Sequence, residues 1–170
     1  QAEKEGIDKI LIITGDRDLT QLASEKITVN ITKKGITDVE VNTPETLLEK
    51  FNLTPNQIID LKGLMGDSSD GIPGVQGIGP KTGVELINKY GDLETLYENI
   101  EDIKGKRKEK LIEDKEKAFL SRDLAEVHRN LDVEYDHDKL ILEEKDYDIL
   151  LPLYKEMEFK RFVLEIEKKE

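Results

Sequence analysis

Met65-Gly-Asp-Ser-Ser-Asp70-Gly-Ile-Pro-Gly-Val75-Gln-Gly-Ile-Gly-Pro80-Lys-Thr-Gly83 places two carboxylates, Asp67 and Asp70, ahead of a turn built on Gly74, Gly77 and Gly79. Glycines let backbone N–H groups approach an anion with no Cβ in the way. Pro80 suits the first position of a helix, where no N–H is needed. Lys81 and Thr82 follow in its first turn, beside the positive end of the helix dipole, which favours a phosphate. The stretch therefore reads as a nucleic-acid backbone dock next to metal-binding acids. A P-loop does not fit, because Pro80 stands between Gly79 and Lys81-Thr82 and brings no N–H to a phosphate cradle.

Outward from this stretch, the preceding helix is predicted to carry Ile58, Ile59, Leu61 and Leu64, with Thr54-Pro55-Asn56-Gln57 as its start signal. Another start lies at Thr43-Pro44, with Thr43 as cap and Leu47, Leu48 and Phe51 on one face. Before it, Lys26–Ile31 and Asp38–Val41 alternate with period two around Lys33-Lys34-Gly35, an expected hairpin at a sheet edge. Lys9–Thr14 is a continuous apolar run, the profile of a strand buried on both faces of a parallel sheet. Asp16 and Asp18 stand at its carboxyl end, where ligands bind in open α/β sheets. Asp18 has a second reading, as the cap of a helix over Leu19–Ser24. Gln1–Gly6 reads as a last helical turn stopped by glycine.

Downstream, Val84, Leu86, Ile87 and Tyr90 predict a short helix ended by Gly91, and Asp92 caps the next. A helical pattern runs from Lys106 to Val127, broken near Asp114. Glu134–Leu142 is expected to be irregular, with short helices over Tyr147–Tyr154 and Glu158–Glu167. The fold class is thus α/β: residues 1–42 as part of an α/β core with a partial parallel sheet, and residues 43–170 mostly helical.

Of the 170 residues, 38% are charged and 36% apolar, which predicts a small core under solvated helices. Without cysteine there is no disulfide, zinc finger or thiol chemistry. No apolar run would span a bilayer and no signal-peptide pattern opens the chain, so a soluble, cytoplasmic protein is expected. The net charge of -12 runs against a nucleic-acid partner. The local pattern differs: Glu85 is the single acid between Gly71 and Gly91, and Lys104–Lys110 holds five basic residues with one acid. That basic run reads either as a solvated loop or as a second phosphate site.

His128 and His137 lie in charged surroundings far from the acids and read as surface residues. Oxygen-only acids select hard cations such as Mg2+ or Mn2+, which activate water and clamp phosphoryl oxygens without a histidine base. A calcium hand does not fit, since Asp67-Ser-Ser-Asp-Gly lacks its alternating acids and distal Glu.

Thr14-Gly-Asp16-Arg-Asp18, Gly66-Asp-Ser-Ser-Asp70-Gly-Ile-Pro-Gly-Val75 and Gly77-Ile-Gly-Pro-Lys-Thr82 closely resemble the 5′-3′ exonuclease domains of bacterial DNA polymerase I, in the flap-endonuclease superfamily. The resemblance covers nearly the whole chain. It implies a two-metal phosphodiesterase that removes RNA primers and 5′ flaps, with Asp16, Asp18, Asp67 and Asp70 as carboxylate ligands of Mg2+ or Mn2+. It also implies a helix-hairpin-helix-type element at residues 65–91, with Gly74, Gly77, Gly79, Lys81 and Thr82 on duplex backbone. Potassium would sit at the main-chain carbonyls of Val75 and Ile78. Gly71 and Gly83 stand where that family is expected to carry Asn and Ala. The family's opening strand, helical arch and Glu-Ala-Asp-Asp helix are not matched, so the resemblance implies a C-terminal portion, inactive alone, that ends near the boundary to the next polymerase domain. The rival expectations are a non-catalytic duplex-binding module and part of a stand-alone flap endonuclease.

Overall fold

The computed structural model describes residues 1–35 and 38–168. The chain divides into two units, Gln1–Val133 and Glu134–Glu170. In the first, β1 (Ile10–Thr14) pairs in parallel with β2 (Ile27–Lys34), which pairs antiparallel with β3 (Asp38–Asn42). β3 thus forms the edge expected of the hairpin; Ile36 and Thr37, within its connection, lie outside the described residues. One face of the sheet supplies Val29 and Ile31 to the core, where they join Leu47, Leu53 and Leu64. Burying each such side chain contributes about 1.5–3 kcal/mol. On the other face Leu11 and Ile13 are 50% and 64% exposed. β1 is therefore covered on one face, not two: Ile12, level with Val29, packs on the core, while Leu11 and Ile13 share the open side.

Among the described residues six α-helices complete this unit: α1 (Pro44–Phe51), α2 (Gln57–Met65), α3 (Pro80–Tyr90), α4 (Leu93–Glu98), α5 (Lys106–Glu113) and α6 (Lys115–Ala125). α1 starts as its sequence requires: Thr43 Oγ1 accepts the Thr46 N–H and Thr46 Oγ1 accepts the Thr43 N–H, with Pro44 at the first position. Leu47 alone of its expected apolar face is buried, because only that side of the helix meets the sheet. Asp92 caps α4 through the Thr95 N–H, and the long helical pattern breaks at Asp114 into α5 and α6.

α2 is the central helix and packs against both α3 and α6. A Cβ at Gly63 would lie 2.9 Å from the Ala118 carbonyl oxygen and 2.9 Å from Leu93 Cδ1. Glycine there permits α6 to cross α2 at backbone distance. In the second unit an irregular segment with a short 3-10 turn at Asp138–Leu140 leads to α7 (Tyr147–Glu156) and α8 (Lys160–Glu167). Tyr154, Phe159 and Phe162 cluster between these two helices.

Candidate functional site

Asp18 is held by a chain of local hydrogen bonds at the end of β1. Thr14 Oγ1 accepts the Asp16 N–H at 3.0 Å, and Asp16 Oδ1 accepts the Asp18 N–H at 2.9 Å. The capping work foreseen for Asp18 thus falls to Asp16. The helix foreseen over Leu19–Ser24 is instead a 3-10 turn at Asp18–Leu22. From that turn the buried Gln21 donates to the carbonyls of Asp18 (2.8 Å) and Ala125 (2.9 Å) and accepts the Val127 N–H (2.9 Å). Asp18 is thereby tied to the end of α6.

Asp67 follows the C-terminus of α2, where Gly66 takes φ 68° and turns the chain. Asp67 and Ile72 exchange backbone hydrogen bonds at 2.9 and 2.8 Å and close a tight loop that carries Asp70. Carboxylate oxygens of Asp18, Asp67 and Asp70 all lie within 4.8 Å of one another. Two chain segments some fifty positions apart therefore converge. Asp16 is outside this group, its side chain engaged with backbone.

Sequence reasoning missed Lys62. Its ammonium reaches Asp18 Oδ1 at 2.7 Å and also bonds Asp67 Oδ2, with all three side chains largely withdrawn from solvent. The 2.7 Å contact lies off the hydrogen-bond direction, and the buried Asp18 Oδ1 has no other partner. The Lys62 hydrogen bond, with help from Ser69, pulls the Asp67 carboxyl down to about 2. Burial lowers the Lys62 pKa, but Asp18 and Asp67 together outweigh it and leave it raised. In sequence Lys62 sits in Leu61-Lys62-Gly63, where any surface lysine would look the same.

The donor set is entirely oxygen, with a buried carboxylate oxygen lacking a hydrogen bond. Such a set fits a hard divalent cation.

The glycine-rich turn abuts this acidic loop. Gly74 takes φ 60°, and a Cβ there would fall 2.3 Å from the Gly66 nitrogen. Hence no other residue fits where the two backbones meet. Three successive N–H groups point inward: Gly74 to Ser121 Oγ (2.9 Å), Val75 to the Leu64 carbonyl (2.8 Å) and Gln76 to Asp114 Oδ2 (2.9 Å). By contrast, among the described residues nothing accepts from the N–H groups of Gly77, Gly79, Lys81 and Thr82. Pro80 occupies the first position of α3 and Lys81 is exposed. Val75 and Ile78 bury their side chains beneath the turn, and the Val75 carbonyl accepts the Ile78 N–H at 3.1 Å.

Residues 53–148 match the family model for the 5'-3' exonuclease, C-terminal SAM fold. The chain belongs to this family. It is 49% identical to DNA polymerase I of Bacillus caldotenax, across 98% of this chain and 19% of that protein. It thus spans about a fifth of the relatives it matches. Among solved structures, T5 5'-exonuclease bound to zinc superposes with TM-score 0.60 at 27% identity, covering 69% of this chain and 43% of that one. The catalytic core of Rad2 in complex with DNA substrate gives TM-score 0.55 at 25% identity, covering 85% and 50%. No helix among the described residues is long and apolar enough to cross a membrane.

Proposed function

We propose that this chain supplies metal ligands and the duplex grip of a 5′-3′ exonuclease that acts on 5′ flaps, nicked duplexes and RNA–DNA primer junctions in the bacterial cytoplasm, alongside the other domains of a DNA polymerase I. The observation that carries this reading is the convergence of Asp18, Asp67 and Asp70 beside a turn with unpaired outward N–H groups. Residues 1–42 belong to the nuclease core, and residues 65–91 form a helix-hairpin-helix-type element within the helical part, 43–170.

Asp18, Asp67 and Asp70 would hold Mg2+ or Mn2+, which when bound supplies an activated water and charge stabilisation at the phosphate. Asp16 stiffens the Asp18 backbone and keeps one carboxylate oxygen for an outer contact. Lys62 balances the acids and presents an ammonium where phosphate charge arrives. The N–H groups of Gly77, Gly79, Lys81 and Thr82, with the α3 dipole and the Lys81 ammonium, bind duplex phosphates without reading bases. The carbonyls of Val75 and Ile78 would hold K+ at the turn, whose positive charge would favour a phosphate there. A second reading, duplex binding without cleavage, is favoured by Asp16, whose commitment to backbone leaves three converging acids.

The test is a calorimetric Mn2+ titration together with duplex binding. Asp67→Asn is expected to weaken Mn2+ binding at least tenfold, and Lys81→Ala to weaken duplex binding equally across sequences while reducing the salt slope by about one. Unchanged Mn2+ affinity in Asp67→Asn would sink the metal assignment. Altered base preference in Lys81→Ala would sink the backbone grip.

A further inference from the structure

Within the turn, the pinned and the free N–H groups follow one another without a break. Gly74, Val75 and Gln76 are fixed from behind, and the open set, Gly77, Gly79, Lys81 and Thr82, begins at the next residue, with Ile78 bonded back to the Val75 carbonyl. The fixed half therefore sets the direction in which the free half points. One of its three anchors, the Leu64 carbonyl, is main chain. The other two are side chains of a different part of the fold: Ser121, 0% exposed on α6, and Asp114, 3% exposed at the joint of α5 and α6.

Both side chains are costly to bury for packing alone. A hydroxyl or carboxylate withdrawn from water is tolerated where its hydrogen bonds are made. Ser121 makes one, to the Gly74 N–H. Asp114 is balanced by Lys117 at 2.7 Å and spends its second oxygen on the Gln76 N–H. Alanine on α6 already serves wherever packing is the whole task, as at Ala118 and Ala125, both buried. Ser121 on α6 and Asp114 at its start thus reach 47 and 38 positions back along the chain to hold two parts of one turn.

The same helix receives Gln21 at its other end, on the Ala125 carbonyl, and Gln21 also donates to the Asp18 carbonyl. α6 therefore fixes both halves of the site. It anchors the acid cluster through Gln21 at its C-terminus and the glycine turn through Asp114 and Ser121.

We infer that Asp114 and Ser121 are positioning residues for duplex binding: they hold Gly74 and Gln76 so that the N–H groups of Gly77, Gly79, Lys81 and Thr82 face the phosphates in register with the acids. The inference rests on the duplex-gripping reading of the turn. Neither residue touches DNA; each acts through the backbone it holds.

The experiment measures binding of a labelled blunt duplex of mixed sequence by anisotropy, well below each variant's unfolding midpoint, together with amide hydrogen exchange. Asp114→Ala and Ser121→Ala should each weaken binding about tenfold, the worth of one typical hydrogen bond. Each should also lose slow exchange at its own amide, Gln76 and Gly74 respectively, while α2 and α6 stay protected. Asp114→Asn keeps an acceptor for Gln76 and should recover binding to within about twofold, also in the event that Asp114→Ala does not fold. Full affinity in Ser121→Ala and Asp114→Ala despite fast exchange at these amides would overturn the inference, as would Asp114→Asn binding no better than Asp114→Ala. Lys81→Ala separates the two levels. If it weakens binding and the two anchor variants do not, the anchors alone are refuted. If the unaltered chain binds no duplex, the grip itself falls and the anchors with it.

Discussion

Lys62 pairs with two of three carboxylates that would otherwise repel one another, and its ammonium supplies one of the two positive charges a divalent ion would bring. Lys62→Met keeps most of the apolar stem and removes that charge. Breaking a largely buried ion pair from one side costs about 3 kcal/mol. The variant should therefore melt lower than the unaltered chain in chelator. Mn2+ should raise its midpoint further than that of the unaltered chain, because no ammonium then competes for the acids. Thermal melts with and without Mn2+ check both; an equal Mn2+ response would show that Lys62 and the ion do not share the site. That Asp18, Asp67 and Asp70 come together was legible in part, since a loop of two aspartates after a helix and two more at the end of a strand point to one place in an α/β fold. Which of Asp16 and Asp18 turns inward was not legible. That choice is made by the Asp16 carboxylate bonding the Asp18 N–H, a local rivalry with no signature in residue type.

Helix starts were read well because a cap is a local contract between neighbours: Thr43-Pro44 and Asp92 open α1 and α4 as expected. Helix faces and strand burial were read less well, because Leu48, Phe51, Leu11 and Ile13 are apolar yet exposed. Apolar character records what a surface prefers, while burial depends on which elements cover it. Two glycines show how far crossing distances escape a linear reading. A Cβ at Gly63 meets the Ala118 carbonyl and the Arg122 Cβ at 2.9 and 3.0 Å, whereas one at Gly83 meets the Leu61 Cδ1 at 2.7 Å. The first obstacle is backbone and cannot move without separating α2 from α6. The second is the tip of a side chain that can change rotamer. Gly63→Ala should thus lose about 1–3 kcal/mol to overpacking despite better helix propensity. Gly83→Ala should stay within about 1 kcal/mol of the original, the propensity gain offsetting the rotamer cost. Urea unfolding of the two variants gives the comparison, and equal losses would mean that α6 yields as easily as Leu61 does.

The negative total charge argued against a nucleic-acid partner, yet the acids are unevenly distributed and the turn proposed to grip duplex presents N–H groups and Lys81. Net charge is a sum over the whole surface, and phosphate binding depends on the few groups within a Debye length. The stability of the first unit shows another long-range sum, at Tyr97. Its ring packs on Phe119, with centroids 5.5 Å apart, and its hydroxyl donates to the Leu111 carbonyl at 3.0 Å. Burial, reinforced by the nearby Asp114 charge, pushes this phenol up to about 12. The unfolded chain gives up the same proton near pH 10. Between those values the unfolded state holds fewer protons than the folded one, so stability falls with rising pH. The contribution is complete below pH 10 and is lost as pH climbs through 12, a loss of about 2–3 kcal/mol for a shift of that size. Tyr97→Phe should be less stable at neutral pH by about 1 kcal/mol for the missing hydrogen bond. It should also show a shallower decline in alkali and lack the late rise in phenolate absorbance. Urea unfolding from neutral to alkaline pH, followed alongside absorbance, measures both. If the variant and the unaltered chain declined in parallel, Tyr97 would ionise in the fold as freely as in the unfolded chain, and the packing that joins α4, α5 and α6 around its ring would be looser than these contacts require.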